Sequence, residues 1–217
     1  MDTLIEFIQT NWAEILYKSW EHLYISLIAV LLGVLAAIPL GILLTRMKKG
    51  AGFIIGIVNI IQTFPSLAVL AFFIPILGVG KLPAIVALFF YSVLPILRNT
   101  YTGIKGVNPS LLESGKGLGM TSGERILFVE LPLALPIIMA GIRTSSVYLI
   151  GWATLASFIG GGGLGDYIFT GLNLYQPAYI IFGAVPVTIM AILVDYLFSF
   201  IELKVTPKGL KGLKETV

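Results

Sequence analysis

The residues able to do chemistry in this 217-residue chain are few and widely spaced. There is no cysteine, so neither a disulfide framework nor a thiolate metal site can form. A single histidine, His22, excludes histidine-rich metal clusters and multi-histidine catalytic centres. Arg143 and Asp195 each stand in an otherwise apolar stretch. A lone charge at membrane depth needs a partner or water, so these two form a candidate intramembrane pair. Gly160, Gly162 and Gly165 satisfy Gly-x-Gly-x-x-Gly, but no strand precedes them, and a phosphate-cradling Gly-x-x-x-x-Gly-Lys-Ser/Thr loop is absent. The run Gly160, Gly161, Gly162, Gly163 reads instead as a turn or hinge at the outer mouth of a membrane helix. The chain is therefore not expected to be an enzyme, and no metal or cofactor is expected on it. The remote alternative, a membrane-embedded enzyme, lacks the clustered nucleophiles or ligands it would need.

The elements that position these residues follow from where charge is missing. Hydrophobic residues make up 57% of the chain and charged ones 12%, with a mean hydropathy of +0.97. A soluble domain carries about 25% charged residues, so a water-soluble fold is excluded. Uncharged windows cover 23–45, 50–80, 82–97, 144–165 and 167–194. A bilayer core of about 30 Å needs about 20 helical residues, so the windows predict five spans. Their limits are about 22–45, 53–77, 82–98, 133–158 and 177–202, an all-α integral membrane domain over 22–202. Residues 1–21 are expected to form a separate helix in the outer interface, with Trp12 and Trp20 at headgroup depth and His22 at the boundary. Gly52 and Gly56 have the spacing that draws helices together, within one subunit or between two.

Orientation follows from the basic residues. Eleven of the fourteen, Arg46, Lys48, Lys49, Arg98, Lys105, Lys116, Arg125, Lys204, Lys208, Lys211 and Lys214, fall on one side of such a bundle. Loops rich in Lys and Arg stay cytoplasmic, which predicts an external N-terminus, an internal C-terminus and a basic cytoplasmic tail over 203–217. The pI of about 9.1 is thereby explained without nucleic acid as a partner.

The one long polar interval, 99–132, has the composition of a structured cytoplasmic loop. Pro109 and Ser110 can open a helix, Gly119 can close it in a left-handed cap, and Pro132 suits the first turn of the next span. Glu113, Ser114, Gly115, Gly119, Val129, Leu131 and Pro132 carry a resemblance here. Their spacing is similar to the cytoplasmic Glu-Ala-Ala motif of type I permease subunits of ATP-binding-cassette (ABC) importers. Ser114 and Gly115 depart from the two alanines but are also small. The resemblance implies a coupling helix that docks on a separate ATPase subunit, which would hold the ATP and Mg.

Over the whole chain the sequence resembles permeases of the glycine betaine/carnitine/choline importers of Gram-positive bacteria. The stretches Ile61-Gln-Thr-Phe-Pro-Ser66, Phe89-Phe-Tyr-Ser-Val-Leu-Pro-Ile-Leu-Arg-Asn99, Gly141-Ile-Arg-Thr-Ser145 and Gly151-Trp-Ala-Thr-Leu-Ala-Ser-Phe-Ile-Gly160 carry that likeness. It implies uptake of quaternary ammonium osmoprotectants across a bacterial cell membrane, with an extracellular solute-binding protein delivering them. A type I permease for an amino acid such as methionine is the alternative. Five helices enclose a polar solute poorly, so a second permease subunit, identical or related, is expected. Around the helix-kinking Pro65, the polar Asn59, Gln62, Thr63 and Ser66 are candidates to line the path. Because a quaternary ammonium has no N–H to donate, Tyr91, Tyr148, Trp152 and Phe158 are candidate aromatic contacts.

Overall fold

The computed structural model describes residues 2–47 and 49–207, and among them the regular structure is helical throughout, with no strand. Lys48 and the tail bearing Lys208, Lys211 and Lys214 lie outside the described residues. Helix α1 runs Asp2–Arg46, followed by α2 (Ala51–Thr63), α3 (Ser66–Leu77) and α4 (Lys81–Lys105). Two short helices come next, α5 (Pro109–Gly117) and α6 (Ser122–Arg125). A π-helical turn (Ile126–Glu130) then leads into α7 (Leu131–Trp152), which tightens into a 3-10 segment (Ala153–Ile159). Helices α8 (Gly165–Leu174) and α9 (Pro177–Val205) complete the chain. Four helical runs among the described residues are long and apolar enough to cross a membrane, and α2 with α3 forms a sharply bent pair that is so only when the two are taken together.

Two spans depart from the sequence expectation. The separate interfacial helix before residue 22 is replaced by one 45-residue helix that passes through His22 without a break. The physical reason is that residues 2–32 contain neither glycine nor proline, so nothing stops the helix once started. At ~1.5 Å per residue α1 is about 68 Å long, well over twice a bilayer core. Trp12 and Trp20 lie on its outward face, 58% and 65% exposed. The second departure is at Pro65, where a kink was expected and the two halves instead meet at 94°. Phe64, with ψ of 139°, is extended because a residue before proline is disfavoured in the helical region, and Pro65 follows it with ψ of 131°.

Helix α4 is the centre of the bundle. It packs on α1 and α7, α7 packs on α9, and α2 and α3 lie against the outer side of α4. Ile25, Ala29, Ala37 and Leu44 of α1 join Ala84, Leu88, Ile96 and Leu97 of α4 and Ile138 and Leu149 of α7 in one core. Between apolar helices in lipid, close backbone approach is the main source of packing energy, and small residues permit it. A Cβ on Gly33 would stand 1.9 Å from the Ser92 hydroxyl, and one on Gly41 2.7 Å from Thr100. On Gly141 it would meet the Asn99 side chain at 2.6 Å and the Pro95 carbonyl at 2.9 Å. Gly52 and Gly56, by contrast, have nothing within 4 Å and draw no helices together within this chain.

This predicts a contrast between two glycines. Gly141→Ala forces backbone to move and should destabilise the bundle by about 1–3 kcal/mol, whereas Gly56→Ala should leave the isolated chain as stable as before. Thermal unfolding of the two purified variants in detergent checks it; equal melting temperatures would contradict the packing role of Gly141.

Candidate coupling surface and transmembrane path

Helix α5 is built by its two ends. Asn108 caps its N-terminus, its side-chain oxygen accepting from the Ser110 amide at 3.0 Å, and Pro109 occupies the first turn. At the other end the Met120 amide donates to the Gly115 carbonyl and the Gly119 amide to the Lys116 carbonyl, both at 3.0 Å. These are the paired bonds of a Schellman cap, which requires a left-handed residue at Gly119, where φ is +81°. Helix α6 follows at once, opened by a reciprocal box between Thr121 and Glu124. The Thr121 backbone N–H and hydroxyl hold the Glu124 carboxyl below its ordinary range.

The result is a tight helical hairpin whose inner side is Gly115. That glycine is buried, and a Cβ there would press on Met120 Sδ at 3.3 Å and the Arg125 stem at 3.4 Å. Glu113 and Ser114 face outward, as does Gly119, while Val129, Leu131 and Pro132 are half-buried where the hairpin joins α7. Leu111, Leu118, Leu127 and Phe128 are exposed there, Leu118 to 80%. A hairpin held by caps and presenting apolar side chains at the end of a membrane bundle has the form of a docking surface.

Glu130, inside the same segment, is 3% exposed and ion-paired with Arg46 at the end of α1. Sequence reasoning missed this link, although an acid at the head of an apolar run and an arginine at the end of another were both visible. It ties the base of α7 to the base of α1.

Of the path candidates, the structure brings some together. Gln62 donates to the Tyr91 carbonyl at 2.8 Å, and the Tyr91 hydroxyl donates to the Phe64 carbonyl at 2.8 Å. The Tyr91 hydroxyl thus satisfies a carbonyl at the Pro65 break, while Gln62 satisfies the Tyr91 carbonyl, which Pro95 leaves without its helical donor. The Tyr91 ring meets Trp152 edge-on at 4.4 Å, and Trp152 lies 6.2 Å from Tyr148. Asn59 and Thr63 are exposed and Ser66 is half-buried at the start of α3. Phe158 stands apart, packed on Phe169 of α8 at 4.1 Å.

Arg143 and Asp195 meet as a two-pronged pair, Nε to Oδ1 at 2.5 Å and Nη2 to Oδ2 at 2.6 Å, joining α7 to α9. Each side chain remains about one-third exposed, at 34% and 37%. They open on a cavity of about 360 Å³ that Thr144, Tyr148 and Glu202 also line. A cavity of about 450 Å³ between Phe64, Phe72 and Phe90 is lined by apolar residues and offers a polar solute nothing.

The glycine run sits at the opposite end from α5. Gly160, Gly162 and Gly163 all have positive φ, and a Cβ on Gly162 would stand 2.7 Å from the Glu21 carboxylate. His22 is fully buried against this run. Its Nε2 lies 2.8 Å from the Ile150 carbonyl and its Nδ1 accepts from the Leu164 amide at 3.3 Å, so a neutral ring satisfies both. The Gly163 amide likewise donates to Glu21. Lys18, Lys81 and Asp166 complete an ion-pair cluster around Glu21, a second feature the sequence reading did not identify.

A bundle of apolar spans, one of them broken and stitched, with a capped hairpin at one end and an ion pair opening on a cavity, defines a membrane transport subunit. Comparison with known proteins specifies it. The chain belongs to the family described as the binding-protein-dependent transport system inner membrane component, which residues 16–208 match. It is a permease subunit, not an enzyme. It is 76% identical over 99% of both chains to the glycine betaine/carnitine/choline transport system permease protein OpuCB of Bacillus subtilis. It is 75% identical, again over 99% of both chains, to the choline transport system permease protein OpuBB of the same organism. Among solved structures, a chain of the inward-facing methionine ABC transporter MetNI superposes with a TM-score of 0.81 at 25% identity, covering 89% of this chain and 96% of that one.

The ion pair generates a prediction. Asp195→Asn leaves the Arg143 guanidinium without its counter-charge, while Arg143→Gln with Asp195→Asn removes both charges. The single variant should therefore melt at a lower temperature than the double variant. A double variant whose loss equals the sum of the losses of Asp195→Asn and Arg143→Gln alone would show that the two side chains act independently.

Proposed function

We propose that the chain forms half of the membrane path of an ATP-driven importer for quaternary ammonium osmoprotectants, of the glycine betaine, carnitine and choline type. The observation that carries the reading is the 76% identity, extending over 99% of both chains, to a permease named for those three solutes. The methionine alternative draws on fold neighbours at 25% identity or less.

In this reading the hairpin α5–α6 faces the cytoplasm and docks on an ATPase subunit that binds ATP and Mg. Arg46, Lys49, Arg98, Lys105, Lys116 and Arg125 gather at that end, which favours it as the inner side. The external end, with the glycine run, receives solute from a separate binding protein. The broken α2–α3 span, Tyr148, Trp152 and the Arg143–Asp195 cavity line the path, because a part-exposed ion pair is not stable against lipid. A second permease subunit closes that open face. Motion of the docked hairpin reaches the path through α7, which grows directly out of it.

Two measurements test this. Cells in which this permease and its partner subunits provide the sole uptake route should accumulate labelled choline, betaine or carnitine and not methionine; the reverse pattern would overturn the substrate class. Since the chain has no cysteine, single cysteines at Asn59 and Tyr148 can be labelled cleanly. Both should react with water-soluble thiol reagents in at least one nucleotide state, and resistance in every state would remove them from the path. For the coupling surface, Gly119→Val strains the left-handed cap by about 1–3 kcal/mol. It should reduce co-purification of the ATPase while the bundle itself stays folded.

A further inference from the structure

We propose that Arg143 and Tyr148 form a solute site inside the membrane path that recognises a quaternary ammonium carrying its own carboxylate, as betaine and carnitine do and choline does not. The inference rests on the reading of the chain as an osmoprotectant permease and narrows the solute class at that same cavity.

Stability alone does not account for the ion pair. Arg143 and Asp195 stand in apolar helices, where the cost of desolvating two charges offsets most of their attraction. Apolar side chains of similar volume would join α7 to α9 as well or better. Nor is the pair sealed. Its side chains are 34% and 37% exposed, and they front the cavity of about 360 Å³ that Thr144 and Tyr148 also line. That volume lies within the ~300–1,000 Å³ range of small-molecule sites.

The geometry fixes which edge of the guanidinium faces a solute. An arginine head carries five N–H groups in a planar fork. Asp195 takes the one on Nε and one on Nη2, at 2.5 and 2.6 Å. The N–H groups of Nη1 and the second one of Nη2 point away from Asp195. With one edge clamped, the fork offers its end in a fixed plane. That end, one N–H from each terminal nitrogen, is the arrangement that receives a carboxylate through two parallel hydrogen bonds.

Charge and ring then select the ligand. The pair is neutral as a whole, so a bare anion meets Asp195 as well as Arg143 and gains little. A zwitterion brings a positive end of its own. Tyr148 lies about 7.5 Å further along α7 at ~1.5 Å per residue, with its side chain 53% exposed. Its ring suits a methylated ammonium, which has no N–H to donate and is held by aromatic faces. Trp152 backs that ring at 6.2 Å. A solute whose two charges are a few bonds apart bridges the guanidinium and the ring together, whereas choline has only the ring.

Uptake by cells holding the complete transporter tests the site, with the solute-binding protein saturated by each solute in turn so that differences arise in the membrane subunits. The readout is the ratio of betaine or carnitine uptake to choline uptake, which a loss of folded protein does not move. Arg143→Gln combined with Asp195→Asn should lower that ratio about tenfold or more, the loss of one charge-assisted contact. Arg143→Lys keeps the ion pair but not the fork, and should lower the ratio in the same direction even if the double variant fails to accumulate. Tyr148→Leu should depress all three solutes together. An unchanged ratio in the Arg143 variants, or a transporter that carries choline and neither carboxylated solute, overturns the site and leaves the permease reading intact. Uptake of none of the three solutes by the unaltered transporter sinks both.

Discussion

Hydrocarbon cannot hydrogen-bond, and every irregular feature of this chain is shaped by that one constraint. A helix satisfies its own backbone, so apolar segments cross as helices at no further cost. Wherever the helix is interrupted, side chains must stand in for the missing partners. The Phe64–Pro65 break is answered by the Tyr91 hydroxyl, and the Tyr91 carbonyl left without a donor by Pro95 is answered by Gln62. The glycine run at 160–163 is answered by Glu21 and His22, which accept from the amides of Gly163 and Leu164. The charges obey the same rule: Arg143 finds Asp195, and buried Glu130 finds Arg46. Each irregularity is thus paired with a specific residue on another helix, and the tertiary fold is the set of those pairings.

Much of this was visible in the sequence. Spans appear as gaps between charges, because a charge in hydrocarbon is expensive enough to be excluded almost everywhere. The hairpin was legible in part from local chemistry: Pro109 and Ser110 signalled the start of α5 and Gly119 its end, while the Asn108 cap and the Thr121–Glu124 box that opens α6 went unread. Both kinds of signal depend on residues within a few positions of one another.

What the sequence did not convey depends on residues far apart or on the absence of a breaker. Treating residues 1–21 as a separate helix rested on the uncharged window that begins at residue 23; yet with no glycine or proline to break it, the helix continued, and Lys18 and Glu21 found partners on α8 and α4. His22 looked like a boundary residue from its neighbours along the chain, but its environment is set by a loop about 140 positions later. Gly52 and Gly56 had the spacing of a packing motif, whereas Gly33, Gly41 and Gly141 do the packing. Spacing alone does not tell which face of a helix meets a neighbour. The Arg143–Asp195 pair was accessible to reasoning only because intramembrane charges are so few that the choice of partner was nearly forced.

The link between the two ends of the molecule follows from continuity more than from contact. The hairpin, the π-helical turn and α7 form one unbroken run of backbone, so displacement of α5 is displacement of the base of α7. Glu130 lies in the turn and is bound to Arg46; α1 is therefore carried along at the same level. Eleven residues further up, counting from Pro132, α7 holds α9 through Arg143. A π turn is a natural place for such a lever to bend, since one extra residue in the helical repeat loosens the bonding at that point alone. Above the turn the close approach at Gly141 leaves no room for α7 to slide on α4, so the helix moves as a rigid bar. In the proposed importer, motion imposed at the hairpin would be delivered at the level of the ion pair and its cavity, rather than dissipated along the helix between them.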